Sequence, residues 1–438
     1  MTRYHIAVDS TDSATKGMCT TYLGAVLLDR LTELPLDLAS PPELVRLNPN
    51  VPWKTRGNGA FCLRYEGPPG LGDEILFIAE NVIWNLSVFD DPQTNPGLVI
   101  LEGHVPSGIR GIYYRALHEI LDIETVKSAG LSAGAVMKGW KNERGLIGAL
   151  SAVGADLEEH TYEAILYRPA EVKERSRKVD GETLRKASRR YPSTFFNIDG
   201  NGAPVCIPHS PCPVILGIRG VDAGDALEAL RMVRTEGAQR WVLWKTNQHT
   251  DAHIEPVRDL SDLRSYSSVT TIVRVVSGPE YRNGGHLFFE AADASGHHAT
   301  CAAYEPTKGF RKVLSALVPG DKLRIWGSVR TEDVPGTTIN LEKVDVVELA
   351  SLMGYRNPRC PECNGPTESM GRDQGLRCKK CGYRGEELEQ VREQTVRDLS
   401  TGLVEPPPDA WRHLFRPSGL PRVEEREYRG PWWGLGTP

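Results

Sequence analysis

The sequence predicts a multi-domain α+β protein, and three observations carry that prediction. Its 438 residues exceed what a single core of ordinary size organises. Strand-like and helix-like patterns alternate through the first half, whereas five strand-like runs broken by one helix occupy residues 268–347. Near the end, two C-x-x-C pairs mark a small unit stabilised by metal. The composition, 40% hydrophobic and 25% charged, provides for packed interiors rather than general disorder.

In chain order, residues Tyr4 to Val8 alternate like a strand, and Met18 to Leu34 carries apolar residues at helical spacing. Amphipathic helices are expected near Ile109 to Leu121 and Leu146 to Val153. The charged, proline-flanked stretch from Pro169 to Arg190 reads as a long loop or linker. Val214 to Ile218, Ala223 to Thr235 and Arg240 to Lys245 read as strand, helix and strand, half of a ferredoxin-like unit. Ser268 to Val276, His286 to Ala292, Ala299 to Tyr304, a helix over Thr307 to Leu317, then Lys322 to Arg330 and Thr338 to Val347 give the order of an OB-fold barrel. After the cysteines, Glu387 to Arg397 reads as helical and the proline-rich end as a mobile tail. The expected divisions are 1–168, 169–264, 265–350, 351–387, and 388–438 as a C-terminal helix and tail.

The formal net charge of −5 excludes a protein that coats nucleic acid by bulk electrostatics. Any RNA contact must use local basic stretches, such as Lys173 to Arg190 and Gly354 to Gly385. No run approaches the roughly 18 apolar residues of a membrane span, so no membrane partner is expected and the cytoplasm is the expected location.

Cys360, Cys363, Cys378 and Cys381 have the spacing by which two knuckles present four thiolates to a structural zinc, with a rubredoxin-like iron site as the alternative. Asp9 and Asp12 lie in a polar loop after the first strand, where α/β sheets hold ligands, and could bind Mg²⁺. The same residues also suit a plain turn. Thr20 sits in the first turn of the next helix, where free amides favour phosphate. Lys54 and Arg56 stand beside Gly57, Asn58 and Gly59, a composition suited to phosphate or to a surface loop. Asn142, Arg144 and Gly145 precede a helix and could form a second anion site. His249 and His253 follow a strand end, which points to ligand contact or solvation rather than to a metal. The P-loop pattern G-x₄-G-K-[ST] does not occur.

Taken together and in order, several stretches resemble the archaeal 2-agmatinylcytidine (agmatidine) synthetase family of isoleucine tRNA. They are Asp9 to Ser13 with Lys16 to Leu23, Arg46 to Pro49, Lys54 to Gly59, Thr94 to Gly97, Arg144 to Leu150, His160 to Glu163 and Thr246 to Gln248. The resemblance implies a kinase-like domain, a ferredoxin-like domain, an OB-fold and a zinc ribbon. It implies an ATP-dependent ligase that phosphorylates the carbonyl oxygen of the wobble cytosine of tRNA bearing a CAU anticodon. Agmatine then displaces the phosphate, and ATP ends as AMP.

On this resemblance Asp9 and Asp12 would hold magnesium, and Lys54, Arg56 and Arg144 would clamp phosphate. Thr11, Gly57, Asn58, Asn142 and Gly145 would contact the nucleotide. Thr20 matches the threonine that becomes phosphorylated in the family, and Asp199 is the candidate for holding agmatine. Two departures stand out: Ser10 replaces the second of two adjacent aspartates, and Glu143 replaces the glycine usual before Arg144. Glu143 adds negative charge beside the expected phosphate site, where it could repel ATP or pair with Arg144. The rival readings are a non-catalytic RNA-binding protein and a small-molecule kinase.

Overall fold

The computed structural model describes residues 1–172, 176–331, 336–371, 374–385, 388–421 and 426–438. The opening strand Thr2–Asp9 lies between Gly59–Gly67 and Gly97–Glu102 and is antiparallel to both, Ile6 facing Leu63 and Ile100. Its alternation decides how the two faces are covered. Tyr4, Ile6 and Val8 join Leu23 and Leu27 of the helix Thr20–Arg30 and Ile83 of the helix Gly72–Leu86. Ala7 faces the other way, towards Ile109, Leu146 and Leu150 of the helices Ser107–His118 and Gly145–Gly154. Each large apolar side chain buried this way stabilises the fold by about 1.5–3 kcal/mol.

The sheet does not stop at the first unit. The strand Glu43–Arg46 pairs in parallel with the end of Arg240–Thr246, joining two units into one eleven-stranded sheet. Beyond the junction the strands run Arg240–Thr246, Thr161–Tyr167, Val214–Gly220, Thr194–Phe195, with the helices Gly181–Arg190 and Ala223–Met232 packed on one side. The chain order is strand, helix, strand, strand, helix, strand. Thr161–Tyr167, which a boundary at 168 assigns to the first unit, is therefore a central strand of the second.

The expected linker from Pro169 to Arg190 is in part a helix. The Asp180 side chain accepts the amides of Glu182 and Thr183 at 2.9 and 3.3 Å, and Thr183, Leu184 and Ala187 are buried beneath an exposed basic face. Three buried positions among so many charges leave a weak apolar signal, which is why the helix reads as a loop. Lys173, within the basic stretch named above, lies outside the described residues.

The next unit is a five-stranded barrel. Ser268–Val275 pairs with both His286–Ala292 and Lys322–Arg330, and His298–Ala303 closes on Thr338–Glu348 in parallel. The helix between the third and fourth strands is Gly309–Leu314, shorter than expected, and it plugs the barrel with Phe310 and Leu314.

The C-terminal expectations are overturned. Glu387 lies outside the described residues, and Val391–Gln394 is a strand paired with Met353–Arg356, not a helix. The end of the chain is no free tail. Gly402–Val404 adds to the barrel, Leu414 packs into the core of the first unit, Phe415 is buried, and Trp433–Leu435 pairs with Arg240–Val242. Aromatic residues scattered among prolines have no period, yet Phe415 and Trp433 pack against elements distant in sequence. No helix among the described residues is long and apolar enough to cross a membrane.

Candidate active site

A cavity of about 520 Å³ opens where the opening strand ends, between the two halves of the large sheet, with the segment Pro408 to His413 on its rim. Asp9, Asp12, Thr20, Lys54, Arg56, Gly57, Asn58 and Arg144 all line it, as the sequence predicts. Thr11, Asn142, Gly145 and Asp199 do not.

Asp9 ends the strand, and one carboxylate oxygen accepts the Ser10 amide at 2.6 Å. Its other oxygen lies against the helix Gly145–Gly154. A methyl group built on Gly148 would sit 1.9 Å from it, so only glycine admits the carboxylate here. Burial pushes the Asp9 carboxyl up to about 7, with the Asp12 charge adding to the rise and the Ser10 amide opposing it. Asp12 is held instead by Arg56, whose Nε donates to it at 2.7 Å, and by the Thr55 hydroxyl at 2.6 Å. An under-neutralised carboxylate beside a second one fits a divalent cation bound through oxygen, and Asp9, which lines the cavity with no cationic partner, is the less neutralised of the two.

The loop from Asp9 to Ser13 is braced from behind by the turn Asp90 to Gly97. Ser13 donates to Asp91, the Thr94 hydroxyl donates to the Asp12 carbonyl at 2.7 Å, and the Asn95 amide donates to the Ser10 hydroxyl at 3.0 Å. Ser10 thus has a structural partner of its own, and its φ of 60° sets the turn. Thr11 is fully buried and donates its hydroxyl to Thr20 at 3.1 Å, so it orients Thr20 from beneath rather than facing the cavity.

Arg56 also donates to Ser210 at 3.0 Å and to the Met18 carbonyl, so Asp12 and its neighbours take four of its five N–H donors. Lys54 donates to the Val51 carbonyl at 3.0 Å, and burial, reinforced by Arg412 and Arg330, lowers its pKa. Arg144 lies over the Trp53 ring at 4.5 Å, with its charge open to the cavity. Asn58 takes a φ of 46° and donates to the Asn48 carbonyl at 2.8 Å, fixing the curl of its loop.

Asn142 accepts the Arg144 amide at 3.1 Å. Gly145 is a packing glycine: its amide donates to the Asn95 carbonyl at 2.9 Å, and a methyl group on it would meet the Gly97 nitrogen at 2.4 Å. Glu143 pairs with Lys127 rather than with Arg144. Its φ of 61° explains why a glycine suits the position. Asp199 closes its own turn, accepting the amides of Asn201 and Ala203 at 2.9 and 2.8 Å.

His249 and His253 are neither solvated nor in the cavity wall. His249 meets the Phe415 carbonyl at 2.7 Å and His253 meets Glu342 at 3.1 Å, both buried. Burial, aided by Arg219, drives the His249 pKa down to about 3. The loop after the strand Arg240–Thr246 is a staple between units, which an isolated sequence segment does not reveal.

Cavity residues without a predicted role include Arg46, Glu163, Arg219, Phe196, Trp411 and His413. Glu163 accepts from Arg219 at 3.3 Å and from Gln248 at 2.5 Å, and His413 meets Gln248 at 3.1 Å. Arg46 and Glu163 stand in motifs recognised above without a chemistry attached. Trp411 and His413 lie in a segment with no sequence signal at all.

The four cysteines converge as their spacing predicts. Cys360 and Cys381 have their sulfurs 3.6 Å apart, Cys363 and Cys378 3.4 Å apart, and all four lie within 4.8 Å of one another. Zinc–sulfur bonds near 2.3 Å imply sulfur separations of about 3.8 Å in a tetrahedron, so the set fits the metal.

Sequence profiles of three domains match: the TiaS TCKD domain over residues 5–139, the TiaS FLD domain over 143–253 and the TiaS C-terminal zinc ribbon domain over 357–399. The isoleucine tRNA 2-agmatinylcytidine synthetase TiaS of Pyrococcus horikoshii is 39% identical over 432 residues, 98% of this chain and 99% of that protein. The chain belongs to the 2-agmatinylcytidine synthetase family of isoleucine tRNA. The member from Archaeoglobus fulgidus is 39% identical over 426 residues, 97% of this chain and 99% of that one. Among solved members of the family, apo TiaS superposes with a TM-score of 0.85 at 38% identity, covering 98% of this chain and all of that one. TiaS in complex with its isoleucine tRNA, AMPCPP and agmatine gives 0.83 at 36% identity, covering 98% and 99%.

Proposed function

We propose that this chain is an ATP-dependent ligase that joins agmatine to the wobble cytidine of isoleucine tRNA with a CAU anticodon, forming 2-agmatinylcytidine in the cytoplasm. The observation that carries this reading is likeness along the whole length to a family member solved with isoleucine tRNA, an ATP analogue and agmatine together. The first half of the large sheet acts as the kinase-like domain and the second as the ferredoxin-like domain. The barrel is an OB-fold, and with the zinc ribbon it grips the body of the tRNA.

Asp9 and Asp12 would hold Mg²⁺, which would supply positive charge to offset the negative charge of the nucleotide phosphates. Arg144 and Lys54 hold phosphate oxygens at the mouth of the cavity. Arg56 keeps Asp12 aimed and has one N–H left on Nη1 for a phosphate oxygen. Thr20 presents its hydroxyl and the first amides of its helix to a phosphoryl group. Gly57 and Asn58 shape the loop along the nucleotide, while Thr11, Asn142 and Gly145 support these contacts from behind.

The cytosine must leave its stack to reach this depth, and Phe196 and Trp411 offer rings at the rim. Once phosphorylated, the base oxygen departs as phosphate, which leaves far more readily than an unmodified carbonyl oxygen. Agmatine's amine, with a solution pKa of about 10 by analogy with lysine, must arrive neutral. Asp199 keeps one carboxylate oxygen outside its own turn for agmatine's cationic end.

Purified protein incubated with this tRNA, ATP, Mg²⁺ and agmatine should yield a nucleoside whose mass is cytidine plus agmatine minus water. ATP cleavage without that nucleoside would leave a small-molecule kinase. Binding of tRNA without ATP cleavage would leave an RNA-binding protein.

A further inference from the structure

We propose that Arg46 is a catalytic residue of the phosphoryl transfer, its guanidinium donating to the oxygens of the group that passes from ATP to the cytosine. This rests on the function proposed above and names a contact that function requires.

Arg46 ends the strand Glu43–Arg46 at the junction of the two halves of the sheet. Its backbone is fixed from both sides by one residue. The Asn247 side-chain oxygen accepts the Arg46 amide at 2.8 Å, and the Asn247 side-chain nitrogen donates to the Arg46 carbonyl at 2.9 Å. The side chain then enters the cavity between the loop of Gly57 and Gly59 and the second half of the sheet. A methyl group on either glycine would come within 2.9 Å of Arg46 Nη1, so the loop is glycine-rich where the guanidinium passes it.

The charge itself has no partner. Among the described residues no carboxylate forms an ion pair with Arg46, its Nε is buried without a hydrogen bond, and neither of its terminal nitrogens takes part in one. The other arginines of the cavity are accounted for differently: Arg56 by Asp12, Arg219 by Glu163, and Arg144 by the ring of Trp53. Arg46 is half-buried, its Nε sealed from water and its terminal nitrogens turned to the cavity, and a guanidinium held so without a carboxylate is costly until an anion completes it. Burial also lowers the Arg46 pKa, with the charge of Glu163 opposing that fall and Arg219 adding to it. An arriving anion reverses the shift.

The anion is identified by place. Arg46 lines the same cavity as Asp9, Asp12 and Thr20, so an anion that entered to meet those residues would come within its surroundings. During transfer the bond from the transferred phosphorus to its bridging oxygen breaks and a bond to the base's carbonyl oxygen forms, while a separate cleavage between the α- and β-phosphates, with water as the acceptor, accounts for AMP. The leaving oxygen keeps the electron pair. Arg46 moves no proton; it stabilises charge on the oxygens in flight, with a planar fork of donors matched to phosphate. Asn247 is then a positioning residue, acting through the Arg46 backbone.

The test compares Arg46→Met, which keeps most of the bulk without the charge, with Arg46→Lys. The expected result for Arg46→Met is a kcat for agmatidine formation about 100-fold lower at saturating ATP. The KM for tRNA should stay within about threefold and the melting temperature should hold or rise, since a half-buried charge without a carboxylate partner has gone. Arg46→Lys should recover part of the rate, and added guanidinium ion should restore part of it to Arg46→Met. A kcat near wild type in Arg46→Met would overturn the assignment. So would a lost rate accompanied by a lower melting temperature and left unrecovered by lysine or guanidinium, which marks a structural role. A wild-type protein that made no agmatidine would instead sink the functional reading.

Discussion

Asp9 offers the most direct test of the metal site, because its proton and a cation compete for the same carboxylate. The group titrates at about 7 in the folded chain, against 3.8 for an unperturbed aspartate. A divalent cation binds the ionised form, so its apparent affinity follows the ionised fraction: about one in eleven at pH 6 and about ten in eleven at pH 8. The Mg²⁺ concentration for half-maximal ATP cleavage should therefore fall roughly tenfold across that range. The nucleotide's own phosphate also titrates nearby. Calorimetry of Mg²⁺ with a non-hydrolysable ATP analogue in buffers of different ionisation enthalpy separates the two, since Asp9→Asn removes only the protein's share, about half a proton at pH 7.

The linkage has a second arm with a definite sign. Without metal, the unfolded chain loses this proton near 3.8 and the folded one only near 7, so ionisation opposes folding increasingly through that window and fully above it. Asp9→Asn should melt higher than wild type at pH 8 and alike at pH 4. An apparent Mg²⁺ affinity that changed less than about twofold between pH 6 and 8, with no proton difference between the two proteins, would refute the placement of the cation at Asp9.

Other predictions follow from single contacts. Gly148→Ala puts a methyl group 1.9 Å from the Asp9 carboxylate, so ATP cleavage should fall by about 100-fold while circular dichroism stays that of the wild type. Cys360→Ser should lose bound zinc by mass spectrometry and weaken tRNA binding, with the cavity's nucleotide affinity unchanged. Leu414→Ala should cost about 2–5 kcal/mol in urea unfolding, and a cost below about 1 kcal/mol would restore the picture of a loose tail. His5 and His249, held neutral by burial with pKa values near 4 and 3, take up no proton where the unfolded chain does. Stability should accordingly fall as pH drops from about 6.5 towards 4, and His5→Gln should flatten part of that fall.

What the sequence discloses and what it hides divide along physical lines. Period and spacing are local, so the barrel strands and the cysteine knuckles appear within a residue or two of where they form: His286–Ala292 and Lys322–Arg330 coincide with their expected bounds. The loop cations and Asp9, Asp12 and Thr20 were legible as a set because they stand in ordered motifs, and the structure brings them to one cavity. Partnership was not legible. Whether Arg56 clamps phosphate or aims Asp12 depends on Ser210 and the Met18 carbonyl, supplied by segments that no pattern links to it. Trp411, His413 and Leu414 were invisible for the same reason, since their burial is decided by surfaces hundreds of residues away.

The two departures from the family pattern show how far such partnership matters. Position 10 takes a left-handed φ of 60° and anchors the Asn95 amide through its side-chain oxygen. A serine meets that demand as an aspartate would, without adding a third negative charge next to an Asp9 that burial already makes hard to ionise. Position 143 takes a φ of 61°, and Glu143 there sends its carboxylate to Lys127, leaving Arg144 on Trp53 with its charge directed at the cavity. Each replacement keeps the backbone geometry and finds its side chain a partner outside the phosphate path. The charge pattern facing ATP is thus set by where these side chains go, and both go away from it.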